Sequence, residues 1–472
     1  MMRRLDCESP RGGDGCNPLS SLNSLARENG MTFLNYVLTT GLAAGILISS
    51  PVAVAAATVA PSWTHPPHQQ RESQFWRTHW YDRDAFAPRL GFTRRARINA
   101  ANAVLDPRWG VRTETRENGL LLIESEEDLF QVEAAELYAE LWGGHPGTAN
   151  KRVTINGRHT YTLNRTGTEA AHCTYTYPSI PLEITDLVKG FNAVQWNVEP
   201  GTTFWGHAMV DQAALRFALT NSHPDLVERK LDTLNAQVRA RVRAREERID
   251  LRLTGDSLPL DQIASVTYQA HYRGYDENGN LHHEDWHGFT QDRRPLGFLA
   301  TSEEAPFNAS WDTRMIPAQK NVAIRALVSF KSLPDTVYLT AATTGLSIPD
   351  RRDVAVHLYR PIDLPESFWS RANNAKTCTF VIDEPAAAIE QATLFVKTWT
   401  GGPGEVKDYF TLNGTHFPVA EGHEHEIQFN QIPIAPSILR QGRNTIRLLS
   451  DTEHHGIEII YPGPALMVRV RL

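Results

Sequence analysis

From residue 119 onward, short runs of alternating apolar and polar residues recur along the chain. Leu120-Leu121-Leu122-Ile123 predicts a short buried strand. Leu137, Ala139 and Leu141 alternate with Tyr138 and Glu140, the period of two that marks a strand with one face inward. Val153-Thr154-Ile155 runs into Asn156-Gly157, the strongest two-residue hairpin signal, and Tyr161-Thr162-Leu163 returns from it. Ala193-Val194-Gln195-Trp196 and Ala214-Leu215-Arg216-Phe217 continue the series. Further on, Gln237 to Ala244 alternates Val or Ala with Gln or Arg. That is a half-exposed strand rather than a basic helix, and its arginine face is either a solvated edge or a stripe for an anionic ligand. Ile263 to Tyr272 and Val322 to Val328 alternate again. Near the end, Thr393 to Trp399, Phe410-Thr411-Leu412 before Asn413-Gly414, Thr445 to Leu448, and Leu466, Val468, Val470 and Leu472 repeat the style. Strands this short and this regularly spaced predict an all-β sandwich architecture.

Part of the pattern is a true duplication. Residues 135–159 recur without a gap at 392–416, with ten identical pairs, among them Trp142/Trp399, Gly147/Gly404, Asn156/Asn413, Gly157/Gly414 and His159/His416. In each copy a Leu-x-x-Gly-x-Asn segment follows, Leu187 to Asn192 and Leu439 to Asn444, and feeds an apolar strand.

A strand ending in an Asn-Gly hairpin, followed by that Leu-x-x-Gly-x-Asn turn, resembles the galactose-binding-domain-like jelly roll of accessory modules in carbohydrate-active proteins. Ser310-Trp311-Asp312-Thr313 and the strand from Val322 resemble the late strands of an immunoglobulin- or fibronectin-like sandwich. The resemblance implies two jelly-roll sandwiches related by the internal repeat, with an Ig-like β-sandwich between them. The expected division is a leader at 1–60, an aromatic-rich arm at 61–118, jelly-roll module one at 119–220, the Ig-like domain at 225–362 and jelly-roll module two at 365–472. The fold serves sugar binding, packing and some enzymes alike, so it implies no single activity.

The arm carries Trp63, His65, His68, Trp76, Trp80 and Trp109 without a sustained period, and is expected to pack its aromatics on a neighbour. Net charge is −7, which argues against nucleic acid as the partner and leaves sugars, peptides and metal ions open. Residues 32–60 hold no charge, follow Arg3, Arg4 and Arg27, and contain the A-x-A sites Ala53-Val54-Ala55 and Ala55-Ala56-Ala57. They read as a secretory signal peptide, starting at Met1 or Met31; an uncleaved anchor is the rival, and only that rival gives a membrane partner. Either reading places the rest in a secreted, cell-envelope or extracellular setting. Beyond the leader only Cys173 and Cys378 remain, expected as two separate buried thiols.

Four places could carry chemistry. Asp276, Asn278, Asn280 and Asp285 put oxygen ligands at spacings suited to calcium, although a plain hairpin explains them too, and Leu281 and His287 break the EF-hand pattern. Trp286 and His287 could stack on and hydrogen-bond a sugar, or pack between domains. Asp451, His454, His455 and Glu458 form an acid–imidazole loop in module two. With His423 and His425 they could bind a ligand or metal, or run acid–base chemistry, or simply face solvent. The matching corner of module one holds Trp142, His145, Trp205 and His207. The recurring Trp142/Trp399 and His159/His416 pairs read best as packing residues.

The expectation is a carbohydrate-binding protein for polysaccharide or glycoconjugate, with calcium as the one candidate cofactor. A polysaccharide hydrolase or lyase using Asp451, His454 or His455 and Glu458 is the alternative, and a structural envelope protein a third.

Overall fold

The computed structural model describes residues 72–82, 96–98, 119–144, 149–163, 173, 175–199, 208–274, 298–419 and 427–472. More than half of these residues lie in strands, which pair into antiparallel sheets, and among them the single α-helix is Pro224–Glu228. The alternating stretches are strands, as their period requires. Val132–Trp142 sends Leu137, Ala139 and Leu141 inward, and its counterpart Ile389–Thr400 sends Leu394 and Val396 inward. Gln237 to Ala244 falls mostly in the strand Ala236–Arg243. Among the described residues its ladder is to Arg248–Gly255, with one isolated bridge from Gln237 to Ala341 on the other side, and Arg239 and Arg241 are exposed, so the arginine face is solvated.

The two repeats share one topology. In the first, a four-stranded sheet runs Leu120–Ser125, Gly190–Glu199, Ala149–Ile155, His159–Thr162. In the second, Lys376–Ile382, Gly442–Leu448, Phe410–Leu412 and Thr415–His416 run in the same order. Each sheet faces a larger one across a hydrophobic core: Ile123, Val153 and Val194 meet Leu137 and Leu215, and Phe380, Leu412 and Ile446 meet Leu394 and Val468.

The repeated polar residues build the same lock twice. Asn156 and Asn413 hold left-handed backbone at φ 49° and 52°, each followed by a glycine that completes the tight turn. Asn156 Nδ2 donates to Asn192 Oδ1 at 2.8 Å, and Asn413 Nδ2 to Asn444 Oδ1 at 2.8 Å. Asn192 Nδ2 then returns to the carbonyls of Val188 and Gly190, and Asn444 Nδ2 to those of Arg440 and Gly442. One buried side chain thus satisfies the backbone of the Leu-x-x-Gly-x-Asn turn while gripping the hairpin. That is why asparagine stands in both copies.

The larger sheet of the first repeat does not stop at its own domain. It runs through eleven strands into the middle region, in the order Phe298–Ser302, Ile263–His271, Gln319–Phe330, Leu333–Leu339, Gln74–Trp80, Ala208–Leu219, Val132–Trp142, Tyr175–Thr176, with three more strands at its flanks. The strand joining the halves comes from the aromatic-rich arm. Gln74–Trp80 pairs Trp76 with Ala218 on one side and with Val337 on the other. Its Phe75 ring meets Tyr338 at 5.0 Å and Phe330 at 5.6 Å, so the first repeat and the middle region share one core. The arm aromatics on this strand pack on neighbours through a paired ladder, while Trp63, His65, His68 and Trp109 lie outside the described residues.

The middle region is itself a sandwich. Ala236–Arg243, Arg248–Gly255 and Ala309–Asp312 form its second sheet, with Trp311 buried between the layers. The second repeat has its own core and a six-stranded sheet that includes Val354–Tyr359, paired to the C-terminal strand Ala465–Arg471. Residues 61–472 nevertheless form one compact unit. Glu247 of the middle region accepts from Arg351 at 2.5 Å and Arg469 at 2.8 Å, which ties that region to the second repeat and holds the carboxyl below its ordinary pKa. Cys173 and Cys378 are both buried thiols, not joined in a disulfide.

Candidate functional site

Two surfaces emerge once the strands are in place. The first is the seam between the repeats. Trp142 and Trp399, the duplicated pair, both enter one apolar cluster with Cys173, Tyr175, Ile427 and Ile460. Each tryptophan closes its own long strand on the outward side, so the ends of the two repeats meet there. Polar groups surround the cluster. Lys397 of the second repeat is 1% exposed and donates from Nζ to the Tyr175 carbonyl of the first at 2.8 Å. Its ammonium also lies 5.8 and 5.7 Å from the Tyr175 and Tyr177 ring centroids, a distance at which the ring faces stabilise a buried cation. In the repeat alignment the position of Lys397 is Glu140. Glu140 and Asp211 are also buried, and the Tyr175 hydroxyl lies 2.8 Å from Asp211 Oδ2 and 3.4 Å from Glu140 Oε2. One tyrosine therefore stands between an acid of the first repeat and the equivalent lysine of the second.

Glu458 completes the seam. It sits mid-strand opposite both Trp399 and Trp369, and is buried. Burial pushes its carboxyl up to about 7, offset in part by a hydrogen bond with Cys173 across the seam. The Cys173 thiol is raised in turn, by burial and by Glu458, and burial also raises Cys378. Neither sulfur is a ready nucleophile, because the thiolate is suppressed. A carboxyl that titrates near neutrality can both donate and accept a proton, and such groups concentrate at functional sites.

Trp142 and Glu458, picked from the sequence in different repeats, thus share a neighbourhood through Cys173. Asp451, His454 and His455 do not join Glu458 inside: all three are exposed. Asp451 accepts from the Glu405 backbone N–H at 3.1 and 3.2 Å and so pins the Gly401–Glu405 turn. A Cβ at Gly404, which is at φ 72°, would lie 1.6 Å from Asp451 Oδ1, so the repeated glycine makes room for that contact. The His455 carbonyl accepts from Trp369 Nε1 at 2.8 Å. His159 stacks on Tyr161 at 4.4 Å and His416 meets Tyr409 edge-on at 5.1 Å, so both do hairpin packing. His145, Trp205, His207, Trp286, His287, His423 and His425 lie outside the described residues, as do the calcium candidates Asp276, Asn278, Asn280 and Asp285. Among the described residues no three His, Cys, Asp or Glu side chains gather as a metal site.

The second surface went unnoticed in the sequence. It is an open groove of about 800 Å³ over the outward face of the second repeat's four-stranded sheet. Its walls are Val406, Lys407, Asp408, Thr411, Asn413 and Gly414 on one side and Arg440, Arg443, Thr445, Arg447 and Leu449 on the other. The signal was available in Arg443-Asn444-Thr445-Ile446-Arg447, whose strict alternation sends both arginines and the threonine outward.

No protein-family model matches the chain, and no curated protein matches it in sequence. Solved structures give distant likenesses. A β-porphyranase of glycoside hydrolase family 86 from the human gut bacterium Bacteroides plebeius is 14% identical at a TM-score of 0.22, covering 50% of this chain and 37% of that one. A β-glucuronidase from an uncultured Clostridium is 9% identical at 0.17, covering 54% and 39%. The infectious bursal disease virus VP2 subviral particle is 9% identical at 0.16, covering 74% of each chain. The chain thus spans well under half the length of the two carbohydrate-active enzymes. Likenesses this distant carry no argument about function.

Proposed function

We propose that the protein binds polysaccharide or glycoconjugate outside the cytoplasm, and that the groove on the second repeat is the binding surface. One observation carries the reading: an open groove on the outward face of the four-stranded sheet, lined by Thr411, Thr445, Asp408 and four cations. A polymer can lie along such a trough without ends having to thread, and hydroxyl-rich rings match its mix of donors and acceptors. The uncharged stretch at 32–60 supports export, and the oxygen-rich segment from Asp276 to Asp285 is where calcium would join. The test is retention of the purified full chain on a panel of immobilised polysaccharides, run with calcium and with chelator. Retention lost on replacing Thr411 and Thr445 by valine supports the groove; passage through every column sinks the reading.

A second reading has its own observation. Glu458, whose carboxyl is pushed up to about 7 by burial and which hydrogen-bonds Cys173 at the seam, is a candidate for acid–base cleavage of a glycan, which would require the seam to open because the carboxyl is buried. Release of reducing ends that disappears in Glu458→Gln would support it. Intact polymer after prolonged incubation from pH 5 to 8 would remove it.

A further inference from the structure

We infer that the groove takes an acidic polysaccharide, one carrying sulfate esters or uronate carboxylates in series along an extended chain; this rests on the carbohydrate reading above. Four cations line the groove, Lys407, Arg440, Arg443 and Arg447, against one carboxylate, Asp408. All four cations are exposed. This concentration of positive charge stands on a chain whose net charge is −7. Arg443 leans on Thr379 Oγ1 at 3.2 Å and on Asp363 at 3.6 Å, a solvated pair that a ligand anion can replace. Lys407, Arg440 and Arg447 make no ion pair among the described residues, so their charges are available.

The placement is ordered. Arg443, Thr445 and Arg447 are successive outward positions of Gly442–Leu448, while Asn444, Ile446 and Leu448 point into the core. In register, Arg447 lies between Thr377 and Thr411, and Thr445 lies beside Thr379. Each row thus carries hydroxyls next to its cation or in line with it. Four residues of strand separate the two arginines by about 13 Å. No single sulfate or phosphate spans that distance, so the ligand carries its charges in series, with hydroxyl-bearing units between them. Planar guanidinium groups match carboxylate and sulfate oxygens in pairs. The fold does not require these residues. In the first repeat, aligned on Asn192 and Asn444, the same positions hold Phe191, Ala193 and Gln195, and Thr377 and Thr379 are replaced by Leu120 and Leu122. A nucleic acid is the lesser fit, because the groove has no aromatic side chain on which bases could stack.

The test measures affinity of the full chain for a sulfated glycan, a polyuronate, neutral dextran and a single-stranded oligonucleotide, across a salt series. The variant is Arg443→Gln/Arg447→Gln. Its control is Arg239→Gln/Arg241→Gln, the same charge change on the exposed edge strand of the middle region. The expected result is acidic-glycan binding that weakens with salt and falls at least tenfold in the groove variant, with a salt slope shallower by about one per arginine and no change in the control. Arg447→Lys should recover part of the loss, while thermal melts of all variants stay together. Equal weakening in the control overturns the assignment to the groove. Oligonucleotide binding as tight as either acidic glycan overturns the ligand class. Dextran binding with a flat salt response, and none to the acidic glycans, overturns the acidic class while leaving carbohydrate recognition standing; no binding to any polysaccharide removes both.

Discussion

The two repeats differ where they need not agree and agree where they must. Each keeps the paired asparagines, the left-handed turn, the strand order and the tryptophan that closes its long strand. Off that framework they part. On the outward face of the first repeat's small sheet Leu120, Ala193 and Gln195 are at 0% exposure and an apolar Phe191 stands at the end, whereas the second's is open and cationic. On the long strand the contrast is sharper still: Glu140 in one copy, Lys397 in the other, both buried, both against Tyr175. Duplication supplied a scaffold with two sets of free positions, and the copies took opposite charge at a shared one. Across the seam Lys397 donates to the Tyr175 carbonyl, while Glu140 lies at the hydroxyl end of the same side chain.

The largest expected effect tests the shared part. Asn192→Ala and Asn444→Ala each strip a buried side chain of its bonds to the neighbouring asparagine and to the turn backbone. Each should cost about 3 kcal/mol in urea unfolding. Similar costs in both copies uphold a common framework, and a loss confined to one copy would break it.

Next come two carboxyls with opposite pH behaviour. Glu127 of the first repeat is buried, and its bonds to His79 and Arg77 outweigh that burial and bring its pKa to about 2. Its contribution is full above pH 4.5 and is lost as the pH falls towards 2. Glu127→Gln should therefore destabilise on the order of 3 kcal/mol at pH 6 and little near pH 2. Glu458 runs the other way. With its pKa raised to about 7, the folded chain holds a proton that the unfolded chain gives up, so stability declines from pH 4.5 to 7. Glu458→Gln should leave the melting temperature unchanged at pH 4.5 and raise it at pH 8, by about 2 kcal/mol of stability; a fall at pH 8 would contradict the buried-acid account.

Smaller again is Lys397→Met. It keeps the packing but leaves the Tyr175 carbonyl without its donor, for about 2 kcal/mol by thermal or chemical unfolding. Smallest is His454→Ala or His455→Ala. Both rings are exposed and the Trp369 bond goes to the His455 backbone, so the melting curve should shift by less than about 0.5 kcal/mol.

Much of the framework was readable in advance because its signals are local. Alternation over six or seven residues fixes a strand face, and Asn-Gly fixes a turn. The Leu-x-x-Gly-x-Asn segment was visible as a recurring string, although the reason for its asparagine needed the partner some 31 to 36 residues upstream. The site was less legible because its contacts are remote. Lys397 reaches a carbonyl 222 positions away, and in the sequence it is one polar residue in an alternating strand. Glu458 looked like part of an exposed acid–imidazole loop, yet it lies two residues past the Gly456 turn, on the buried strand, while the histidines before it stay outside. Trp76 and Trp80 had no long period to reveal a strand, since a seven-residue strand paired on both sides need not alternate.

Gln74–Trp80 has one more consequence. Among the described residues it is the ladder that joins the strands on its two sides in the eleven-strand order, and it precedes both of them in sequence. Withdrawing this ribbon would unfasten the array along its length and bare two raw margins, Ala208–Leu219 and Leu333–Leu339, each with a row of unsatisfied amides. Shortening the protein from its front end past residue 82 would therefore turn a continuous sheet into two sticky halves, with self-association as the visible outcome.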